Sequence, residues 1–218
     1  VGSAIAAAGL KIIILPGVIK ILLFIFVAPI LGMIGGFLLQ LIVLHLFRKA
    51  NPLKVNKYFS GLQILSATTY SISHGTNDAQ KTMGIISILL FSVGLLGKEF
   101  YVPFWVVLMS HAAIALGTLA GGWKVIKTMG MRITKLRPVN GFCAETAGAS
   151  VVIGSTIFGI PVSTTHVISG SIMGVGSLRR FSAVRWGIAR TIVWAWILTI
   201  PISALTGGLS YWTLSLFL

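Results

Sequence analysis

Long apolar stretches separated by short basic segments constrain the fold of this chain more than any other feature. A helix needs about 20 apolar residues to cross the hydrocarbon core of a bilayer. Four stretches reach that length, at residues 18–47, 61–96, 102–123 and 186–214. Only 9% of the 218 residues are charged and 56% are hydrophobic, a composition that a water-soluble domain does not need. The sequence therefore predicts an all-α integral membrane protein with several membrane crossings.

Two parts of the chain interrupt this pattern. The apolar stretch at 61–96 contains the polar sequence SHGTND at residues 73–78, which predicts a broken helix. Residues 140–178 form two apolar pieces, each too short to cross a bilayer alone, on either side of the sequence FGIPVSTTH. We expect a re-entrant helical hairpin over 140–178, with its tip at residues 159–161.

Clusters of basic residues predict the orientation of the spans. Cytoplasmic loops are enriched in Lys and Arg, whereas the turn near Lys98 and Glu99 carries little charge and is expected outside. Such clusters would also attract anionic membrane lipids. Because they alternate with apolar runs, we do not expect nucleic-acid binding from the excess of 17 basic over three acidic residues. The clusters are Arg48, Lys49, Lys54 and Lys57; Lys124, Lys127, Arg132, Lys135 and Arg137; and Arg179, Arg180 and Arg185.

The two ends of the chain resemble each other. A Gly-Ser pair at residues 2–3 recurs at 170–171, Pro29 corresponds to Pro201, and a Gly-Gly pair at 35–36 recurs at 207–208. The predicted topology gives the two copies opposite orientations, which is typical of secondary transporters built from inverted repeats. A chance match between small-residue helix ends is the alternative interpretation.

The repeat predicts the domain organisation. Residues 1–47 would be the last helix of a first repeat, 48–60 a cytoplasmic loop between repeats, and 61–218 a second repeat. Within that repeat we expect a broken helix at 61–96, a span at 102–123, the hairpin at 140–178 and a final span at 186–214. The hairpin and broken helix of the first repeat are expected to precede Val1.

Acidic and hydroxyl side chains within the apolar stretches predict a binding site. A carboxylate at the centre of a membrane helix costs about 2.5–3.5 kcal/mol, so Asp78 and Glu145 indicate a polar cavity or an ion path. Helix capping by Asp78 and a buried hydrogen-bond partner for Glu145 are the alternatives. Ser163, Thr164 and Thr165 begin the second half of the hairpin, where free backbone N–H groups favour an anion. An anion beside two carboxylates needs cations, which predicts sodium ions or protons at Asn77, Asp78 and Glu145.

Two motifs resemble a known family. The sequences SHGTNDAQKTMG, residues 73–84, and AETAGASVVIGSTIFGIPVSTTHVISG, residues 144–170, are similar to the second repeat of the bacterial branch of the inorganic phosphate transporter (PiT) family. The resemblance implies phosphate as substrate. It implies a phosphate site formed by Asn77, Asp78, Ser163, Thr164 and Thr165, and a cation site formed by Asn77, Asp78, Glu145 and Ser163. The family's Gly-Ala-Asn-Asp signature departs here at Thr76.

Three further residues are candidate accessory groups. Lys81 lies one helical turn beyond Asp78 and could neutralise it or approach phosphate, while Thr76 and His166 flank the two motifs. His74 and Asp78 are four residues apart, but without an HExxH motif we expect no transition-metal site. No cofactor is expected either.

The predicted function is symport of inorganic phosphate with sodium ions or protons by alternating access, in a multi-pass protein of the bacterial inner (plasma) membrane and not in an enzyme. The alternatives are a channel or transporter for another oxyanion such as sulfate, or an inactive fragment that lacks the first half-site. The expected partners are phosphate, the coupling cation and membrane lipids, and a homo-oligomer is left open.

Overall fold

The fold consists of packed helices. The computed structural model describes the backbone of residues 1–217 and the side chains in that range except those of Arg132 and Arg179. Within this range there is no strand, which confirms the all-α prediction. Short 3-10 helices lie at Leu10–Ile12 and Phe181–Ala183, and a π-helical segment lies at Thr128–Ile133. The α-helices are α1 (Gly2–Ala8), α2 (Leu15–Leu46), α3 (Pro52–Ser92), α4 (Phe104–Lys127), α5 (Pro138–Ile157), α6 (Thr164–Arg179) and α7 (Trp186–Leu214).

Three of the described helices are long and apolar enough to cross a membrane. They are α2, α4 together with its continuation to Met131, and α7. Large apolar side chains on these helices point outward, and Leu119 and Trp212 are 77% and 66% exposed. An apolar outer surface of this extent fits a hydrocarbon environment rather than water. The bounds of α7 coincide with the predicted final span, and α4 extends slightly beyond the predicted span at 102–123.

The predicted break in the second apolar stretch is wrong, because α3 is one continuous helix of 41 residues. Gly75 does not adopt a positive φ, and the polar residues at 73–78 keep helical backbone geometry. A mid-helix glycine costs only about 1 kcal/mol relative to alanine. The polar side chains here bond to the hairpin, as Asn77 does to Val162, so they need not interrupt the helix.

The predicted loop at 48–60 is also wrong in extent, because α3 already begins at Pro52. The side chain of Asn51 caps this helix by accepting a hydrogen bond from the Leu53 N–H at 2.9 Å. Proline is well suited to the first helical position, since its missing N–H would have no intrahelical partner. The connection between α2 and α3 is therefore only residues 47–51.

Helices α5 and α6 form the hairpin expected at residues 140–178. The chain reverses after α5 through Gly159, which has a φ of 63° that favours glycine. The two helices pack against a core that includes Cys143, Ala144, Ile172 and Val175. The re-entrant path, in which the hairpin enters and leaves on the same side of the membrane, stays a prediction.

Close helix packing sets the direction of α6 relative to α2. A Cβ at Gly32 would lie 2.5 Å from the Val167 carbonyl oxygen, and one at Gly36 would lie 2.5 Å from that of Ser171. Both contacts advance in the same direction along the two helices, so α2 and α6 run parallel. Small residues thus allow the two backbones to approach closely, as is common between membrane helices.

The same type of contact recurs between α1 and α7. A Cβ at Gly2 would overlap the Ala204 carbonyl, and Gly208 lies next to Ala6, so these helices also run parallel. In contrast, α7 runs antiparallel to α6, since His166 stacks on Trp196 while Val175 and Ala189 share a core cluster. Helices α2 and α7 therefore point in opposite directions. They carry the Pro and Gly-Gly parts of the two copies of the repeated sequence.

Helix α4 provides a reference for the depth of the hairpin tip. Near the beginning of α4, Val106 packs with Met83 of α3, while further along Gly121 lies across a groove from Tyr70. The two helices are therefore antiparallel. The hairpin tip contacts Asn77, which lies between Tyr70 and Met83 on α3. The tip is thus level with the middle of α4 rather than with either of its ends.

Candidate functional site

The hairpin tip and α3 form a polar contact centred on Asp78. One carboxylate oxygen, Oδ1, accepts hydrogen bonds from Asn77 Nδ2 at 3.1 Å and from Lys81 Nζ at 2.9 Å. The other, Oδ2, lies 3.3 Å from the Thr164 hydroxyl and 3.2 Å from His74 Nδ1. The side chain of Asp78 is 31% exposed, so these contacts leave part of the carboxylate accessible.

The carbonyl oxygen of Val162 joins the tip to α3. It accepts hydrogen bonds from Asn77 Nδ2 at 2.9 Å and from Lys81 Nζ at 2.8 Å. The Asn77 side chain is buried at 3% exposure, whereas Lys81 is partly open to solvent. The same two residues therefore hold both the carboxylate and the backbone of the tip. Lys81, expected only as an accessory residue, lies at the centre of this network.

Two residues of the network on α3 were not predicted as members of this site. The Tyr70 hydroxyl donates to the Thr164 carbonyl at 2.9 Å, and His74 Nδ1 lies 2.8 Å from the Thr164 hydroxyl. Residues 70, 74, 77, 78 and 81 follow the i, i+3, i+4 spacing of one helix face. That spacing is the signal from which Tyr70 and His74 could have been found, once α3 is treated as continuous.

The start of α6 presents the predicted hydroxyl cluster. Ser163 caps the helix, with its hydroxyl oxygen accepting from the His166 backbone N–H at 3.5 Å. Thr164 is buried and bonded to the network, while Thr165 is exposed and lines a groove beside Tyr70 and His74. Of the three predicted hydroxyl residues, the structure brings Thr164 into direct contact with Asp78.

Glu145 lies apart from Asp78. Its Oε2 accepts a hydrogen bond of 2.6 Å from the Ser66 hydroxyl. Ser66 precedes Asp78 by 12 residues on the same helix, which corresponds to about 18 Å along the helix axis. The expectation of one cation site containing both carboxylates therefore does not fit the structure. The physical reason is that α3 and α5 run parallel, with Gly141 against Gln63 and Gly148 against Tyr70. Glu145 therefore pairs with an earlier turn of α3.

The other accessory candidates also lie away from the carboxylate of Asp78. His166 stacks on Trp196 of α7 with ring centroids 4.2 Å apart. Thr76 is exposed on α3. Neither forms a hydrogen bond to the network through a side chain that the structure describes.

A cavity lies on each side of the hairpin tip. One has a volume of about 200 Å³ and is lined by Asn77, Lys81 and the tip residues 159–161. The other is a groove of about 590 Å³ that extends from His74 and Thr165 along α4 toward Met129. The Asp78 network thus separates two spaces that lie toward opposite ends of α3.

Apolar spanning helices around a polar hairpin tip define an integral membrane protein. The chain belongs to the phosphate transporter family, whose family model matches residues 48–207. This assignment confirms the resemblance found from the sequence motifs and the prediction that the protein is not an enzyme.

Individual relatives agree with the family assignment. A protein of Rhizobium meliloti (strain 1021), named a probable low-affinity inorganic phosphate transporter, is 54% identical over 99% of this chain. A protein of Bacillus subtilis (strain 168) with the same name is 45% identical over 99% of the chain. The chain spans 65% of the length of each of these two relatives. These bacterial relatives fit the predicted location in the plasma membrane.

A solved structure described as the sodium-dependent phosphate transporter has a similar fold. It superposes with a TM-score of 0.85 at 26% sequence identity. The match covers 100% of this chain and 71% of that one. The arrangement of α1–α7 is therefore the arrangement found in a phosphate transporter.

Proposed function

We propose that this chain carries one half-site of a cation-coupled inorganic phosphate symporter. The single observation that carries the proposal is the network joining Asp78, Lys81 and Thr164 at the hairpin tip, between two cavities. The names of the relatives support phosphate as the substrate. The sodium-dependent structural relative supports sodium as the coupling ion, with the proton as the alternative.

Phosphate would bind at the start of α6. Backbone N–H groups and the positive end of the helix dipole stabilise an anion at this position. The hydroxyls of Ser163 and Thr165 add hydrogen-bond donors, and the Lys81 ammonium lies within reach of the tip through the Val162 carbonyl. An ammonium group supplies a point charge for phosphate oxygens.

The coupling cation would bind at Asp78. Hard cations prefer oxygen ligands, and the site offers the Asp78 carboxylate, the Val162 carbonyl and the Asn77 side-chain oxygen. The amide nitrogen of Asn77 donates to Asp78 and Val162, which leaves that oxygen available. Lys81 contacts two of the same oxygen atoms, so a cation arriving there would displace its ammonium. The displaced ammonium could then bind phosphate, which would couple the two ligands.

Glu145 would hold a second cation at a separate position. The Glu145 carboxylate and the Ser66 hydroxyl are oxygen donors that meet between α5 and α3. The distance of about 18 Å along α3 separates this position from Asp78. Two cation positions rather than one shared site would then support a symport stoichiometry of more than one cation per phosphate.

Alternating access would follow from the inverted arrangement of repeats. The opposite directions of α2 and α7, and the matching contacts of α6 with α2 and of α1 with α7, support this arrangement. The tip level with the middle of α4 supports a re-entrant hairpin. In such proteins one bundle rocks against the other around a site near the membrane midplane. The two cavities at the tip would then open in turn.

Uptake of labelled phosphate into vesicles that contain the full-length protein tests the proposal. An imposed sodium or proton gradient should drive uptake, and collapsing the gradient should stop it. Asp78→Asn should reduce uptake by about 30-fold, since a hydrogen bond to a charged group contributes about 2 kcal/mol. Glu99→Asn, which removes a carboxylate outside the site, is the matched control. Unchanged uptake by Asp78→Asn would contradict the assignment, and uptake without a cation gradient would indicate a channel.

A further inference from the structure

A third cavity lies far from the hairpin tip, where three helices converge. It has a volume of about 280 Å³ and is bounded by the end of α2 and the beginnings of α3 and α5. Its walls include Gln40, Val43, Phe47 and Val55, with Arg48 and Arg137 at its edge. These basic residues belong to two of the clusters that the positive-inside pattern assigns to the cytoplasmic side.

Within the described part of the chain, the two arginines at this cavity have no carboxylate partner. Among the side chains that the structure describes, every ion pair includes Asp78. The chain's other acids, Glu99 and Glu145, do not pair with Arg48 or Arg137, and both guanidinium groups are exposed. The positive ends of the α3 and α5 dipoles face the same region. Two guanidinium groups therefore lie at this cavity without a carboxylate partner among the described residues.

Gln40 adds a polar group to the wall of the cavity. Its side chain lines the cavity although the residue is only 1% exposed. The carboxamide oxygen accepts a hydrogen bond from Asn140 Nδ2 at 3.1 Å. The two carboxamides thus form a neutral polar part of the cavity wall. A carboxamide nitrogen is a hydrogen-bond donor, so a ligand with oxygen acceptors is compatible with this part of the wall.

The remaining walls identify the kind of acceptor. Val43, Phe47 and Val55 form an apolar surface, which free inorganic phosphate does not require. The cavity also lies at the end of α2, one of the three candidate membrane spans, where lipid headgroups are found. Arginine binds phosphate oxygens through its planar fork of N–H donors. We propose that this cavity binds an acidic phospholipid, with its phosphate group at Arg48 and Arg137 and its glycerol and upper acyl chains against the apolar wall.

Thermal unfolding of the purified full-length protein in detergent tests this site. Added phosphatidylglycerol should raise the unfolding temperature by about 5 °C, since a ligand that binds only the folded state stabilises it. Phosphatidylcholine, which has no net charge, should have a much smaller effect. Arg48→Gln combined with Arg137→Gln should abolish the shift. Lys124→Gln combined with Lys127→Gln removes the same charge outside the cavity and should retain it.

A steric variant separates the cavity from general charge effects. Ala50 lines the cavity and is exposed, so Ala50→Trp would fill it without changing the charge. This variant should also lose the lipid-dependent shift. Retention of the shift by the double arginine variant or by Ala50→Trp would overturn the proposal. It would also be overturned if inorganic phosphate produced the same arginine-dependent shift, because the ligand would then be a free anion. None of these results depends on whether the protein transports phosphate through the site at the hairpin tip.

Discussion

At the scale of single residues, the Lys81 ammonium forms an ion pair with the Asp78 carboxylate. Its ammonium contacts both Asp78 Oδ1 and the Val162 carbonyl, at 2.9 and 2.8 Å. An internal lysine thus occupies the position where a coupling cation is proposed to bind. The carboxylate is neutralised before any ion arrives, which reduces the cost of placing it within the membrane.

Lys81→Met is expected to change the affinities for cation and phosphate in opposite directions. Loss of the competing ammonium should strengthen cation activation of uptake by about tenfold, and loss of a charged donor should weaken phosphate binding by about tenfold. Uptake measured against varied cation and phosphate concentrations gives both constants. Lys98→Met, in the turn before α4, is the control. Equal weakening of both ligands would contradict the displacement of Lys81.

The separation of Asp78 from Glu145 leads to a second prediction, which concerns how uptake depends on cation concentration. If each carboxylate holds its own cation, uptake should depend on cation concentration with a Hill coefficient of about two, falling to about one in Glu145→Gln. Ser66→Ala should weaken cation activation through the same position, since its hydroxyl bonds Glu145. A Glu145→Gln protein with an unchanged Hill coefficient would argue against a second cation position.

At the scale of helices, close backbone contacts hold α6 against α2. Gly170 and Gly174 lie directly against the carbonyl groups of Pro29 and Met33, where a Cβ would overlap backbone atoms. Backbone cannot move aside as a side chain can. These contacts therefore fix the position of the hairpin, and with it the position of Thr164 relative to Asp78.

Gly170→Ala is expected to lower the unfolding temperature by about 2–12 °C, from an overpacking cost of about 1–3 kcal/mol. The effect can be measured by thermal unfolding in detergent. Gly84→Ala on α3 is the matched control, because no atom lies within 4 Å of a Cβ built there. Its unfolding temperature should be unchanged or slightly higher, since alanine favours a helix. Similar losses in both variants would contradict specific packing at Gly170.

At the scale of the whole molecule, the distribution of charge predicts the orientation in the membrane. The loop between α2 and α3 carries Arg48 and Lys49, whereas the turn before α4 carries Lys98 and Glu99. Single cysteines at Ala50 and Lys98 should therefore differ in accessibility. Native Cys143 is buried and should give little background.

The orientation can be tested with a membrane-impermeant maleimide applied to right-side-out vesicles. Lys98→Cys should be labelled before permeabilisation, and Ala50→Cys only afterwards. Opening the vesicles with detergent provides the positive control for both variants. The reverse pattern would invert the proposed topology and place the arginine cavity on the outer side.

Local sequence patterns by themselves predicted part of the candidate site and much of the fold. The apolar stretches predicted α2, α4 and α7, because helix length and hydropathy are properties of a single segment. The hairpin tip was predicted from Gly159 and Pro161, which favour a turn, and from the hydroxyl residues that begin α6. Asp78 was identified because a carboxylate within an apolar stretch is costly wherever that stretch packs.

Only the tertiary structure decided which of these groups meet. The parallel packing of α3 and α5 places Glu145 beside Ser66 rather than beside Asp78, and the continuity of α3 aligns Tyr70, His74 and Lys81 with the hairpin tip. Sequence spacing fixes which residues share a helix face, but it does not specify the direction or axial position of a neighbouring helix. Those depend on close contacts between distant segments, such as Gly170 against Pro29.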